Sequence, residues 1–180
     1  MNKNKLIYGA SVFDFDETLA FSDNIIRCYK NGDTKSITSY DWPKVGEKMI
    51  NDGWVMDFDD FNKVTNGVPG PLIQKLKNQL HKYSYDSIYI LTARHSDSEE
   101  AIYNWLLSQN IELKRENIVG LGNSTGKAKA NWIQDNLISL GVNDIYFVDD
   151  AFSNIQAVKE MFKEYPKGFL IEGGKSIIAK

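Results

Sequence analysis

The chain of 180 residues has little cysteine, no long apolar run and no strong excess of charge of either sign. Its one cysteine, Cys28, cannot form an internal disulfide, which is typical of a protein in a reducing compartment. No stretch approaches the roughly 20 consecutive apolar residues that a membrane-spanning helix needs. The formal charge of −3 argues against a broad electrostatic grip on nucleic acid. We therefore expect a soluble, cytoplasmic protein with no membrane partner and no obligate protein partner.

The sequence also lacks internal repeats, low-complexity tracts and long linkers. Its length is that of one domain, and 42% hydrophobic and 12% aromatic residues are enough to bury a core without disulfides. These observations predict a single domain over residues 1–180 and exclude global disorder.

What the chain does contain is a repeated unit of a short apolar run, a polar turn and an amphipathic helix. Continuous apolar runs predict strands that are covered on both faces, namely Leu6–Phe15, Ser87–Leu91, Asn117–Leu121, Ile145–Val148 and Phe169–Ile171. Helical periodicity predicts the helices between them, namely Pro71–Tyr83, Asp97–Gln109, Lys127–Leu140 and Ser153–Tyr165. We expect Gly141 to close the third helix and Ser153 to cap the fourth.

Strands that alternate with helices predict an α/β fold with right-handed crossovers. The expected architecture is a Rossmann-like parallel sheet of about five strands with helices on both faces. In such sheets ligands bind at the carboxyl ends of the strands, so the chemistry is expected there.

One segment, residues 24–70, interrupts this alternation after the first strand. The sequence Asn-Gly-Asp at positions 31–33 predicts a β-hairpin. Asp41 as a cap and Pro43 in the first turn then predict a short helix, followed by the aromatic and acidic stretch Trp54–Phe61. We interpret the segment as a flap and small cap inserted within the single domain.

Two carboxylates, Asp14 and Asp16, stand at the end of the first predicted strand. Alternate residues of a strand point to the same face, so both side chains are expected at the mouth of the sheet. Carboxylates this close repel unless a cation or a shared proton joins them. The pair therefore indicates Mg²⁺ or a shared proton, since one acid alone would suffice to form a turn.

Three more polar clusters are predicted at the same edge of the sheet. In chain order they are Thr92-Ala93-Arg94 after a strand, Lys127 and Lys129 at the start of a helix, and Asp149, Asp150 and Asn154 after the fourth strand. Each cluster alone is weak support for a site, but four that converge on one rim are specific.

These motifs resemble those of the haloacid dehalogenase superfamily, most members of which are Mg²⁺-dependent phosphohydrolases. The resemblance covers nearly the whole chain and rests on Asp14-x-Asp16-x-Thr18, Thr92, a helix-opening lysine and Asp149-Asp150 with Asn154. It implies that Asp14 is the nucleophile that forms an aspartyl-phosphate, and that Asp16 is the general acid and base. Thr92 would bind the phosphoryl oxygens, with Thr18, Ala93 and Arg94 as substrate-binding residues.

The resemblance also implies a set of metal ligands and a catalytic lysine. Asp14, the backbone carbonyl of Asp16 and Asp150 would hold Mg²⁺, with Asp149 beside it and Asn154 reaching it through water. Trp132 and Ile133 follow Lys129 at the spacing that faces a core, which favours Lys129 over Lys127.

Several alternatives stay open. Arg94 could bind a substrate phosphate or a nucleic-acid backbone, or form a surface salt bridge with Asp97 or Glu100. A second metal or an exposed acidic turn would explain Asp57, Asp59 and Asp60. Trp54 and Phe58 could stack on a base or pack the cap onto the domain. A P-loop over Gly120–Ala128 fails on glycine spacing and lacks the Mg²⁺-binding hydroxyl group.

The substrate is expected to be a phosphorylated small molecule, such as a nucleotide or sugar phosphate, or a 3′-phosphorylated nucleic-acid end. The rival from another class is a catalytically idle module that keeps the fold and binds a phosphate group or a partner.

Overall fold

A computed structural model describes residues 9–163 and 169–172. Its strands are β1 (Gly9–Phe13), β2 (Ala20–Phe21), β3 (Ile25–Lys30), β4 (Asp33–Thr38), β5 (Val55–Asp57), β6 (Val68–Pro69), β7 (Ile88–Thr92), β8 (Ile118–Gly120), β9 (Asp144–Val148) and β10 (Phe169–Glu172). Its α-helices are α1 (Trp42–Asn51), α2 (Ile73–Lys82), α3 (Glu99–Ser108), α4 (Gly126–Asn136) and α5 (Phe152–Phe162). Among the described residues, no helix is long and apolar enough to cross a membrane.

The main sheet is parallel, in the order β10-β9-β1-β7-β8. Successive residues of the central strand β1 pack on opposite faces, as the two-residue period of a strand requires. Phe13 contributes to a core with α2 and α3, whereas Val12 contributes to a second core with α4 and α5. The predicted α/β fold with helices on both faces of a parallel sheet is therefore confirmed.

The first strand is shorter than the apolar run that predicted it. Its predicted beginning, Leu6–Tyr8, lies outside the described residues, and β1 ends at Phe13. The chain then turns, because the amide groups of Thr18, Leu19 and Ala20 all donate to the carbonyl oxygen of Phe15. Asp14 and Asp16 thus lie just beyond the strand, at its carboxyl end.

Two predicted helix boundaries are wrong. Ser153 lies inside α5, whose N-cap is Ala151, and the backbone N–H of Ala151 donates to the Asp149 carboxylate. Gly141 adopts the expected left-handed conformation, with φ of +97°, but it closes a separate 3₁₀ turn, Ile138–Leu140. At α5 the N-cap Ala151 has no polar side chain to mark the start of the helix. After α4 the apolar pattern continues into the 3₁₀ turn, so pattern alone misplaces that end.

The insertion has its own small antiparallel sheet, in the order β4-β3-β5. The predicted hairpin is confirmed: Asn31 and Gly32 both have positive φ, as the tight turn between β3 and β4 requires. The helix predicted after Asp41 is α1, although the Asp41 side chain makes no capping hydrogen bond. At the base of the insertion β2 pairs with β6, so the chain leaves and re-enters the main domain at one place.

Candidate functional site

Asp14 is held rigidly at the carboxyl end of β1. Its backbone N–H donates to the carbonyl oxygen of Val148 at 2.9 Å, which continues the pairing of β1 with β9. Its side chain is buried, and Oδ2 accepts a hydrogen bond from the hydroxyl group of Thr18 at 3.2 Å. The turn that brings Thr18 back over Asp14 passes through Glu17, which has φ of +60° although it is not a glycine. Such backbone conformations are uncommon outside glycine and asparagine and cluster at functional sites.

Lys129 joins two of the acidic clusters. Its Nζ lies 2.6 Å from Asp14 Oδ1 and 2.5 Å from Asp149 Oδ2, and the side chain is buried. Burial acts to lower the pKa of Lys129, but the two carboxylates outweigh it and raise that pKa. Lys127 is exposed on the other side of the first turn of α4, so the geometry agrees with the choice of Lys129.

Asp149 is the most fully hydrogen-bonded acid of the site. Besides Lys129, it accepts from the Asn154 side-chain amide, at 2.9 Å and 3.0 Å to its two oxygens, and from the backbone N–H of Ala151. Asn154 therefore orients Asp149 directly. The following residue, Asp150, is half-buried, and burial together with the charge of Asp149 raises its pKa to about 7.

Asp14, Asp149 and Asp150 each offer an oxygen, and these atoms lie within 4.8 Å of one another. Within the described residues, this is the one group of three or more acidic, histidine or cysteine side chains that could hold a metal ion. When ionised, the three acids and Lys129 carry a net charge of −2 in a largely buried place. Burial, opposed by Lys129 but reinforced by the other acids, also raises the pKa of Asp14. A divalent cation would neutralise the cluster, so the donor set and the charge both fit one.

Thr92 and Ala93 lie at the same edge, at the end of β7. Thr92 is completely buried, and its Oγ1 accepts the backbone N–H of Arg94 at 3.2 Å. No acceptor for its own O–H is found among the described residues. Ala93 is half-buried and offers only its backbone.

Arg94 is placed differently from both alternatives that the sequence left open. It is buried, and its guanidinium forms a bidentate pair with the Asp16 carboxylate, at 2.8 Å and 2.7 Å. The expected surface salt bridge is wrong, because Asp97 lies beside His95 and Glu100 pairs with Arg115.

Two polar residues of this region were missed by sequence reasoning. Asn24, at the start of the insertion, is buried, and its Oδ1 accepts a hydrogen bond from Arg94 Nη2 at 3.3 Å. Glu17 is half-buried and accepts a hydrogen bond from Ser39 at 2.6 Å. Burial raises the pKa of Glu17, against the lowering effect of the Ser39 hydroxyl group. The position of Glu17 inside the Asp14–Thr18 motif was the one available signal for it. For Asn24 the sequence held no signal.

The insertion residues considered as functional have structural partners. Trp54 packs against the core of the insertion, and Phe58 makes an edge contact with Trp42. Two acids of this segment have local partners: Asp57 accepts the backbone N–H of Asp59 and lies 3.8 Å from Arg27, and Asp60 accepts the backbone N–H of Ile25. They form the acidic turn that was the second alternative.

Comparisons of the chain with family models, with curated proteins and with solved structures find no match. Any functional conclusion therefore depends on the chemistry of the site itself.

Proposed function

We propose that the protein is a Mg²⁺-dependent phosphomonoesterase that works through a phosphorylated Asp14. One observation carries the proposal: a buried carboxylate at a rigid strand end is paired with a buried lysine and lies beside two further acids. The resemblance of these motifs to the haloacid dehalogenase superfamily supports the same conclusion.

The donor set favours a hard cation such as Mg²⁺ or Ca²⁺ over zinc. Carboxylate oxygens are ligands of Mg²⁺ and Ca²⁺, whereas zinc prefers sites that contain histidine or cysteine, and this group has neither. Asp14, Asp150 and the backbone carbonyl of Asp16 would hold the ion, with Asp149 and Asn154 beside it. When bound, Mg²⁺ would offset the repulsion between the Asp14 carboxylate and a phosphate dianion.

In the first half-reaction an Asp14 oxygen attacks the phosphorus atom and forms a new P–O bond. The bond from phosphorus to the substrate oxygen breaks, and its electron pair leaves with that oxygen, which takes a proton from Asp16. Lys129, which is held cationic, offsets the negative charge that builds up between Asp14 and the phosphoryl group.

In the second half-reaction a water molecule attacks the phosphorus of the aspartyl-phosphate while Asp16 takes a proton from it. The bond between phosphorus and Asp14 breaks, which restores the carboxylate and releases inorganic phosphate. By the same resemblance, the O–H of Thr92 would hydrogen-bond a phosphoryl oxygen in both steps. The substrate is a phosphorylated small molecule or a 3′-phosphorylated nucleic-acid end, and the site residues serve both equally.

The test is phosphate release from an aryl phosphate with Mg²⁺, measured for the wild type and for Asp14→Asn. Loss of the nucleophile should lower kcat/KM by on the order of 10³-fold or more. Asp59→Asn, on the exposed surface of the insertion, is the matched control and should retain wild-type activity.

The assay should be extended to nucleotides, sugar phosphates and 3′-phosphorylated oligonucleotides. Equal inactivity of the wild type and Asp14→Asn across this panel would overturn the phosphatase proposal and favour an idle phosphate-binding module.

A further inference from the structure

Arg94 connects Asp16 to the insertion. On one side its Nε lies 2.8 Å from Asp16 Oδ2, and its Nη2 lies 2.7 Å from Oδ1. On the other side Nη1 donates to the backbone carbonyls of Phe61 at 2.9 Å and Lys63 at 2.7 Å. Nη2 also reaches Oδ1 of Asn24 at 3.3 Å. Every N–H group of the guanidinium is thus directed at a protein acceptor, so none is left for a substrate.

The surroundings of Arg94 make this arrangement rigid. Its guanidinium lies 5.2 Å from the ring centroid of Phe15 and 4.8 Å from that of Phe61, and the side chain is buried. Asn24 is fixed in turn, because its amide donates to the carbonyl of Asp60 at 2.7 Å and to the Thr65 hydroxyl group at 3.1 Å. A planar fork of five donors can hold a carboxylate by two parallel bonds, which a lysine cannot do.

The pairing with Arg94 leaves the Asp16 carboxyl group able to give and take a proton. Each of its oxygens accepts one hydrogen bond from Arg94, and a carboxylate oxygen can accept two, so each keeps a free lone pair. A carboxylate held by two parallel bonds cannot rotate, and transfer of a proton depends on such alignment. Arg94 and Asp16 together are neutral, so this pair adds no charge to the net −2 of the neighbouring cluster.

We propose that Arg94 is a positioning residue that aligns Asp16 for proton transfer and fastens the insertion to the site. The alignment rests on the proposed function, whereas the fastening does not. If Arg94 aligns Asp16, its loss should slow the steps in which Asp16 gives or takes a proton. If Arg94 fastens the insertion, its loss should loosen residues 61–65.

The first measurement compares substrates by their leaving groups. An aryl phosphate with an acidic phenol as its leaving group needs little help from a proton donor, whereas an alkyl phosphate needs it fully. General acid–base catalysis contributes about 10²- to 10⁴-fold, so Arg94→Gln should lower kcat/KM, which reports the steps up to departure of the leaving group, at least about 10-fold more for the alkyl phosphate than for the aryl phosphate. With the aryl substrate, phosphorylated enzyme should accumulate, because water attack still needs Asp16. Arg94→Lys, which keeps the charge but not the fork, should restore little of this loss.

The control for this arm is Asp60→Ala. Asp60 accepts the backbone N–H of Ile25 at 2.9 Å and the Asn24 amide at 3.3 Å, but it touches neither Arg94 nor Asp16. This variant removes hydrogen bonds within the insertion but no direct contact of the bidentate pair. It should therefore change kcat/KM for the two substrates by the same factor.

The second measurement is amide hydrogen exchange, which does not depend on activity. Arg94→Gln and Asp16→Asn should each increase exchange over residues 61–65, whereas Arg115→Gln, at an exposed salt bridge, should not. Because Arg94→Gln leaves the Asp16 charge unpaired, the double variant Arg94→Gln/Asp16→Asn provides a neutral pair if the single variant does not fold.

The outcomes separate the two proposals. An active wild type in which Arg94→Gln lowers kcat/KM equally for aryl and alkyl phosphates would overturn the alignment of Asp16 and leave the phosphatase proposal intact. A wild type inactive on every substrate would overturn both, and unchanged exchange over residues 61–65 would overturn the fastening.

Discussion

The protein contains two groups of three aspartates whose surroundings differ. Asp14, Asp149 and Asp150 come from opposite ends of the sequence and meet at the edge of the parallel sheet. The second group, Asp57, Asp59 and Asp60, occupies a stretch of four residues inside the insertion. The pKa of Asp14 is raised, mainly by burial, whereas hydrogen bonds from Ile25, Lys63 and Asn24 outweigh burial and lower the pKa of Asp60.

The difference lies in how each group is compensated. In the insertion Asp60 accepts the Ile25 amide and Asp57 accepts that of Asp59. At the sheet edge one ammonium group pairs with two of the three acids, and a net charge of −2 remains in a largely buried place when all are ionised. Proximity of acidic residues in sequence thus indicates little, whereas their convergence with a charge surplus indicates a cation site.

The largest effect is expected from Lys129→Met in metal-free protein. This change leaves Asp14 and Asp149 buried without their cation, and breaking a buried pair typically costs about 3–5 kcal/mol of unfolding free energy. Urea denaturation in the presence of a chelator measures it. Lys127→Met, on the exposed side of the same helix, should change stability by less than about 0.5 kcal/mol. Similar losses in both variants would contradict the asymmetry between the two lysines.

An intermediate effect is expected from Mg²⁺. A cation that binds only the folded protein stabilises it by about 2.7 kcal/mol at a concentration 100 times the Kd. Asp150→Asn should largely abolish this stabilisation, since it removes a ligand and a negative charge. The double variant Asp57→Asn/Asp59→Asn should keep it in full. Thermal unfolding with and without Mg²⁺ checks both, and the opposite result would move the metal to the insertion.

A smaller effect is expected from pH in metal-free protein. The pKa of Asp150 is raised to about 7 by burial and by Asp149, so the folded protein holds this proton more tightly than the unfolded chain does. That contribution to stability is complete below about pH 4 and is lost as pH rises towards 7, on the order of 2 kcal/mol for a half-buried group.

The measurement is urea denaturation between pH 4 and 8 with a chelator present. Asp150→Asn stays neutral in both states, so its stability should fall less over this range than that of the wild type. A steeper fall in the variant would contradict the assignment of this pH dependence to Asp150.

Much of the architecture could be predicted because it depends on local patterns. Continuous apolar runs are required of strands covered on both faces, and they located β7, β8 and β9 to within a residue or two. The hairpin turn was predictable for a similar reason, since few residues tolerate the positive φ found at Asn31 and Gly32. Helix ends were less predictable: Ser153 lies inside α5, because that helix begins after Ala151, which has no polar side chain to mark the start.

The site could be predicted only in part. Parallel strands end at one edge, so Asp14, Thr92 and Asp149 could be brought together from topology alone. The role of Arg94 could not, because its partners Asn24, Phe61 and Lys63 lie in an insertion whose position over the sheet has no periodic signal in the sequence.

By itself, then, the sequence determined the α/β fold, the edge where polar groups gather and the acids and lysine that gather there. These features follow from hydrophobic periodicity and from strand direction, which are properties of short segments. The tertiary structure decided which charges are compensated: Lys129 serves Asp14 and Asp149, and Arg94 serves Asp16. Such pairing depends on how segments far apart in the chain pack together. Packing sets which charges are buried, and a charge needs a partner only where water is excluded.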